Sequence, residues 1–282
     1  MKRAFVLVLL TACGAAKESN PSASCAVSGR TRSAIVTRFG FVRPDPAQPE
    51  VAAGFDLDGR KSDDRDARGC RQPDFTAPDG VLGVDNQLAR LLPLIDSMSG
   101  GALDGAVSSA INNGQLLVAI TVDGLDDRCN DDSVTLRLQR VSGTPLVGAD
   151  QRIDPGQTFE LDPEGGESAI AARVKNGFVE AGPSSLELPV SILDAQFPAS
   201  FHGARVRLRL SDDGAIDGVL GGGLDREELM THVRGFTLEA DFVTALDAAL
   251  ELFADLDPDA SGACRQFSAA IELEARPAFV LR

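Results

Sequence analysis

Apolar residues recur at every second position from Leu116 through Val118 and Ile120 to Val122, and again at Val134, Leu136 and Leu138. A period of two puts such side chains on one face of a strand, so the two runs predict an antiparallel pair joined by Asp123 to Asp132, with Cys129 in the turn. The alternation returns at Leu186, Leu188, Val190 and Ile192, at Val206, Leu208 and Leu210, and at Phe267, Ala269, Ile271 and Leu273. Shorter strands are predicted over 34–42, 158–161 and 170–174. Arg205, Arg207 and Arg209 occupy the face opposite Val206 and Leu208, which reads as a solvated sheet face in preference to an anion site.

Elsewhere the period lengthens. Leu88, Leu91, Leu92 and Ile95 predict a helix capped by Asp85 and bent or ended at Pro93, and Leu103, Val107 and Ile111 predict a second, stopped at Asn113-Gly114. The run Gly218 to Leu224 lacks the spacing of a phosphate-binding loop and reads as a flexible bend into a helix from Asp225 to Val233. Phe242, Leu246, Leu250 and Phe253 mark one face of a further amphipathic helix. Strands outnumber helices and pair locally, so the expected fold is β-rich α+β, with antiparallel sandwich-like sheets and three or four peripheral helices over residues 25–282.

The first residues belong to no such pattern. Met1-Lys2-Arg3 precedes the apolar run Ala4 to Leu10 and then Thr11-Ala12-Cys13, which has the charge, length and small-residue ending of a secretion signal and is too short to span a bilayer. Leu10-Thr11-Ala12-Cys13 resembles the lipobox of bacterial lipoproteins, which implies cleavage after residue 12 and a lipid on Cys13. Gly14 stands where Asp marks inner-membrane retention in enterobacterial lipoproteins, so the resemblance points to the outer membrane of a host that has one. Residues 13–24 carry no bulky apolar side chain and read as a flexible tether.

Charge narrows the partners. The chain has 42 acidic and 27 basic residues, a net charge of −15, which becomes about −17 once Lys2 and Arg3 leave with the signal. Such a surface repels nucleic acid, and with no Trp and no Tyr the stacking platforms of sugar-binding modules are missing. His202 and His232, the only two His residues, have no zinc-ligand spacing. Contact with the membrane is expected through the N-terminal lipid alone.

Three loops concentrate carboxylates: Asp56, Asp58, Asp63, Asp64 and Asp66; Asp123, Asp126, Asp127, Asp131 and Asp132; and Asp255, Asp257 and Asp259. Calcium takes six to eight oxygens, and alternate Asp residues of a tight loop supply them. The third loop has the opening of an EF-hand, but Ala260 and Gln266 replace its glycine and closing glutamate, so a simpler calcium loop is expected there, with Asp56 and Asp58 as a second candidate. Without Cys13, the cysteines Cys25, Cys70, Cys129 and Cys264 suit two disulfides in an oxidising compartment. Three pairings are open, and Cys70 with Cys264 is preferred because each follows an acidic loop, which leaves Cys25 with Cys129.

The runs Gly54-Phe55-Asp56-Leu57-Asp58-Gly59, Asp74-Phe75, Val84-Asp85-Asn86-Gln87 and Asp255 to Cys264 resemble recurring features of uncharacterised lipoproteins from myxobacteria. That resemblance implies a setting and no activity. Three functions stay open: a non-enzymatic envelope module for structure or binding, stiffened by disulfides and calcium; a calcium- or carboxylate-dependent envelope hydrolase; and carriage of an apolar ligand between sheets. The chain has no Gly-x-Ser-x-Gly, no Cys/His pair and no His-Glu-x-x-His helix, which favours the first.

Overall fold

A computed structural model describes residues 25–281, apart from 26, 28, 193, 194 and 236–238. The expected signal peptide, Cys13 and the tether lie outside the described residues.

The chain enters through β1 (Thr31–Phe41) and passes through a loop containing a small two-stranded sheet, β2 (Phe75–Thr76) and β3 (Leu82–Val84). Two helices follow, α1 (Gln87–Ser99) and α2 (Leu103–Asn112). The strands β4 (Val118–Asp123), β5 (Asn130–Ser142), β6 (Thr158–Leu161), β7 (Glu167–Lys175), β8 (Phe178–Ile192), β9 (Ala195–Leu210) and β10 (Ile216–Asp225) come next. Helices α3 (Arg226–Arg234) and α4 (Ala240–Phe253) precede β11 (Leu256–Pro258), β12 (Cys264–Pro277) and β13 (Phe279–Leu281).

Eight strands run in the order β5-β4-β1-β12-β10-β9-β8-β7, and β5 also pairs with β7, so the sheet closes on itself. This corrects the sandwich-like expectation: the fold is mainly β, a closed antiparallel barrel with β6, β11 and β13 added at its margins and, among the described residues, four short α-helices. A strand of a sandwich and a strand of a filled barrel show the same alternation, because each has one buried face. Bulges between Val36 and Arg38, Asp131 and Val134, Ala181 and Ser184, and Gly221 and Gly223 add the local twist that lets these long strands curl shut.

Register shows which way each face points. Leu136 opposes Ile170, Val179 opposes Leu208, and Val206 opposes Leu220, all buried in the barrel core. On the outer face Arg173 pairs with Glu180 at 2.9 Å, Arg209 with Asp217 at 3.0 Å, and Arg38 with Glu274 at 2.8 Å. Charges outside and apolar side chains inside are the inverse of a barrel that crosses a bilayer. Helix α2 packs on β1 and reaches β8, four strands away round the ring, so it bridges one end of the barrel.

The glycine run is the interior of β10 and not a bend. By alternation Gly221 faces outward; a Cβ there would meet the Phe55 ring at 3.0 Å and the Ala269 carbonyl at 3.1 Å. Only a residue without a side chain lets the loop before β2 lie this close to the wall. That loop is fixed by a second small core, in which Phe75, Val84 and Ala52 pack with Ala89 of α1 and Ala270 of β12. Cys70 bonds to Cys264 and Cys25 to Cys129, with Cα atoms 6.0 and 5.2 Å apart, so the first bridge ties the long loop to the start of β12.

Candidate carboxylate site

Between the barrel wall, the N-terminus of α1 and the loop before β2 lies a cluster of carboxylates. Asp56, Asp58 and Asp85 each offer an oxygen, and the three oxygens lie within 4.8 Å of one another. Asp85, just ahead of α1, was expected to cap that helix. Its Oδ2 instead accepts the backbone N–H of Leu57 at 2.6 Å and that of Asp58 at 3.4 Å, which folds the first acidic loop back over it. Asp85 is only 3% exposed.

Asp74 and Asp255 complete the charge. Asp74 shares a side-chain hydrogen bond with Asp85 and accepts the Ser62 N–H. Asp255 accepts from the Ser268 backbone N–H at 2.7 Å and from its hydroxyl at 2.6 Å. Burial pushes Asp85 up to about 8, with the negative charges of Asp255, Asp74 and Asp58 adding to the effect against the Leu57 N–H. Burial, with the charges of Asp58 and Asp56, pushes Asp74 up to about 6, despite the Ser62 N–H and the hydrogen bond shared with Asp85. Burial likewise raises Asp255 to about 7, outweighing the two bonds from Ser268. Three carboxylates raised above their ordinary range by burial and by one another's charge identify a site short of positive charge.

Two neutral oxygens beside the cluster have no donor. Gln87 is fully buried; its Nε2 donates to the Pro73 carbonyl at 2.9 Å and its backbone N–H to Ser268 Oγ at 2.8 Å, which wedges the amide between Pro73-Asp74 and Ser268-Asp255. Its Oε1 accepts nothing. Ser62, whose N–H reaches Asp74, is 5% exposed and its Oγ is unpaired as well. A buried oxygen without a donor costs about 1–3 kcal/mol, unless a cation takes its lone pair.

The other expected ligands fall elsewhere. Asp257 has a left-handed φ of 54° and pairs with Arg265 at 2.6 Å, away from the Asp255 carboxylate. Asp259 closes its own turn, accepting Ser261 N–H at 2.7 Å, Ser261 Oγ at 2.6 Å and Ala263 N–H at 3.1 Å, and these bonds hold its carboxyl below the usual range. Of the expected calcium ligands, Asp56 and Asp58 therefore meet, beside Asp85; Asp255 is near enough for its charge to act on Asp85, and Asp257 and Asp259 do not join them. Asp63 and Asp66 accept backbone N–H groups of their own turns. In the second loop Asp123 binds Arg137 at 2.7 Å, Asp126 binds Arg30 at 2.9 Å, and Asp131 accepts the N–H groups of Asp126 and Ser133.

Asp74, Asp85, Ser62 and Gln87 were not singled out as ligands from the sequence. The available signal was the polar run Asp85-Asn86-Gln87 set directly before an apolar helix. All three residues are buried, and Asn86 holds Ala53 O and Ala270 N–H together across the gap.

No protein family, no curated protein and no solved structure matches this chain.

Proposed function

We propose that this chain is a lipid-anchored cell-envelope protein, attached through Cys13 and residing at the outer membrane where the host has one. Its stapled barrel carries a calcium-organised loop and serves as a structural or binding module. The observation that carries the reading is the convergence of Asp56, Asp58 and Asp85, whose oxygens lie within 4.8 Å of one another.

Oxygens bound to one calcium at 2.3–2.6 Å stand no more than about 5 Å apart, which these three satisfy. Every oxygen of the group is a carboxylate oxygen, and three carboxylates exceed the one or two that magnesium usually takes from a protein. Asp74 and Asp255 supply further negative charge next to the ion. Asp85 and Asp255, at 3% and 5% exposure, are out of reach of a substrate, which supports a structural ion over the acid–base chemistry of a hydrolase.

Thermal melting of the oxidised protein in calcium, in magnesium and in chelator tests this. The expected result is a higher melting temperature in calcium, equivalent to about 2.7 kcal/mol at a hundredfold excess over the dissociation constant, and a smaller gain in magnesium. Coincident curves in calcium and chelator would overturn the ion. Metabolic labelling with a palmitate analogue, lost in Cys13→Ala, tests the anchor separately.

A further inference from the structure

A groove of about 820 Å³ runs between the loop before β2, the β2–β3 hairpin and the outer wall formed by β7, β8, β9 and β10. Its floor is made of small residues, among them Ala171, Gly182 and Gly218, which is why it is deep. Phe55, Pro78, Val81 and Val84 form the opposing apolar side, and Val81 is 55% exposed at the rim.

Arg205 lies in this groove with no acidic partner among the described residues. Its neighbours on the outer wall are all engaged: Arg173 with Glu180, Arg209 with Asp217, and Arg207 with Asp79 at 3.9 Å while stacked 4.6 Å over Phe178. Arg205 faces Gly221 across the β9–β10 register, and on the β8 side the bulge between Ala181 and Ser184 removes a direct partner. Its Nε is buried and donates to nothing. In a chain with 42 acids to 27 bases, an arginine left unpaired at a concave apolar surface faces a missing acceptor.

We infer that the groove binds a small amphipathic monoanion, a monocarboxylate whose head takes the Arg205 guanidinium and whose apolar body lies against Phe55, Val81 and Val84. A neutral apolar molecule would cover the Arg205 guanidinium without supplying it an acceptor. A dianion such as a phosphate monoester meets Asp56, Asp79, Asp132 and Glu180, which outnumber the three arginines of the lining. The volume falls in the range of small-molecule sites. Asp56 borders both this groove and the carboxylate cluster, so the loop that calcium would hold is also a wall of the groove; the ligand assignment itself goes beyond the ion.

The test is an NMR titration of the oxidised protein in calcium with octanoate, 1-octanol and octylamine as probes, following backbone amides and the Arg205 Nε–H. Octanoate is expected to shift Phe55, Val84 and Arg205 saturably, with octanol and octylamine about tenfold weaker or more, as one lost charge-assisted bond implies. Arg205→Met should weaken octanoate by about the same factor, while Arg209→Met, outside the groove, leaves it unchanged. Absence of saturable shifts, equal binding of octanoate and octanol, or unchanged binding by folded Arg205→Met would overturn the proposal. Melting with and without chelator on the same samples separates the two readings: a calcium response without octanoate binding removes the groove ligand alone, and octanoate binding without a calcium response removes the ion alone.

Discussion

Ser268 donates twice to Asp255, from its backbone N–H to Oδ1 at 2.7 Å and from its hydroxyl to Oδ2 at 2.6 Å. The same hydroxyl accepts the first N–H of α1, from Gln87, at 2.8 Å. One buried side chain on β12 thus caps a helix and aims a carboxylate, joining the barrel to the cluster without a cap from α1's own sequence. The positive end of α1 and the negative cluster face one another across it.

Ser268→Ala should therefore strand the Gln87 N–H and remove one of the two bonds to Asp255. An unfolding free energy lower by about 1–3 kcal/mol in denaturant titration is the expected result. A change within a few tenths of a kcal/mol would show that water replaces the hydroxyl.

In chelator, stability should fall as pH rises. Asp74, Asp85 and Asp255 have folded values raised to about 6, 8 and 7, above the unfolded Asp value of about 3.9. The folded state therefore binds more protons than the unfolded chain through this window, and the stabilising contribution, complete below about pH 4, is lost as pH climbs through the folded values. Calcium should oppose this fall by replacing the protons. Melting curves from pH 5 to pH 8.5 in both conditions check it; a melting temperature that rises with pH in chelator contradicts the assigned directions.

Asp85→Asn removes a charge while leaving an oxygen to accept the Leu57 N–H. In chelator at pH 8 the variant should equal or exceed the parent in melting temperature, and in calcium it should fall below it. This crossing of the two orders distinguishes an ion site from a merely buried acid, for which the parent and variant would keep one order in both buffers.

The two disulfides should differ in effect. Cys70–Cys264 joins the loop carrying Asp58 and Asp74 to the strand after Asp255, so its removal in the double Ser variant should lower stability by about 2–5 kcal/mol and weaken calcium binding. Cys25–Cys129 staples the second acidic loop, whose carboxylates are bound to Arg and backbone groups, and its removal should cost stability while leaving calcium affinity unchanged.

Much of the fold was legible locally. The alternation around Ile120, Leu136, Leu208 and Leu273 marks β4, β5, β9 and β12, and the four-residue spacing of Leu103, Val107 and Ile111 marks α2. Closure was not, because it rests on pairs such as Leu136 with Ile170 and on bulges that leave no composition signal. Gly221 misled for a physical reason: glycine is poor in strands except where another part of the chain must come close, and the close part, Phe55, is far away in sequence. In the site, Asp56 and Asp58 were readable from their alternation. Asp85 was not, since an Asp before an amphipathic helix looks like a cap, and only the tertiary position of Leu57 turns its side chain the other way. In the third loop Asp255, Asp257 and Asp259 bond Ser268, Arg265 and their own turn in that order, and the left-handed backbone at Asp257 breaks the alternation that the spelling Asp-x-Asp-x-Asp suggests.

Calorimetric titration of calcium into the metal-free, oxidised protein at pH 7.5, beside Asp85→Asn, tests the central claim most directly. The account predicts saturable heat with one ion per chain for the parent, proton release whose heat scales with the buffer's ionisation enthalpy, and no saturable heat for the variant. Featureless titrations for both proteins would contradict it, and the cluster would then hold its loop through its own hydrogen bonds without an ion.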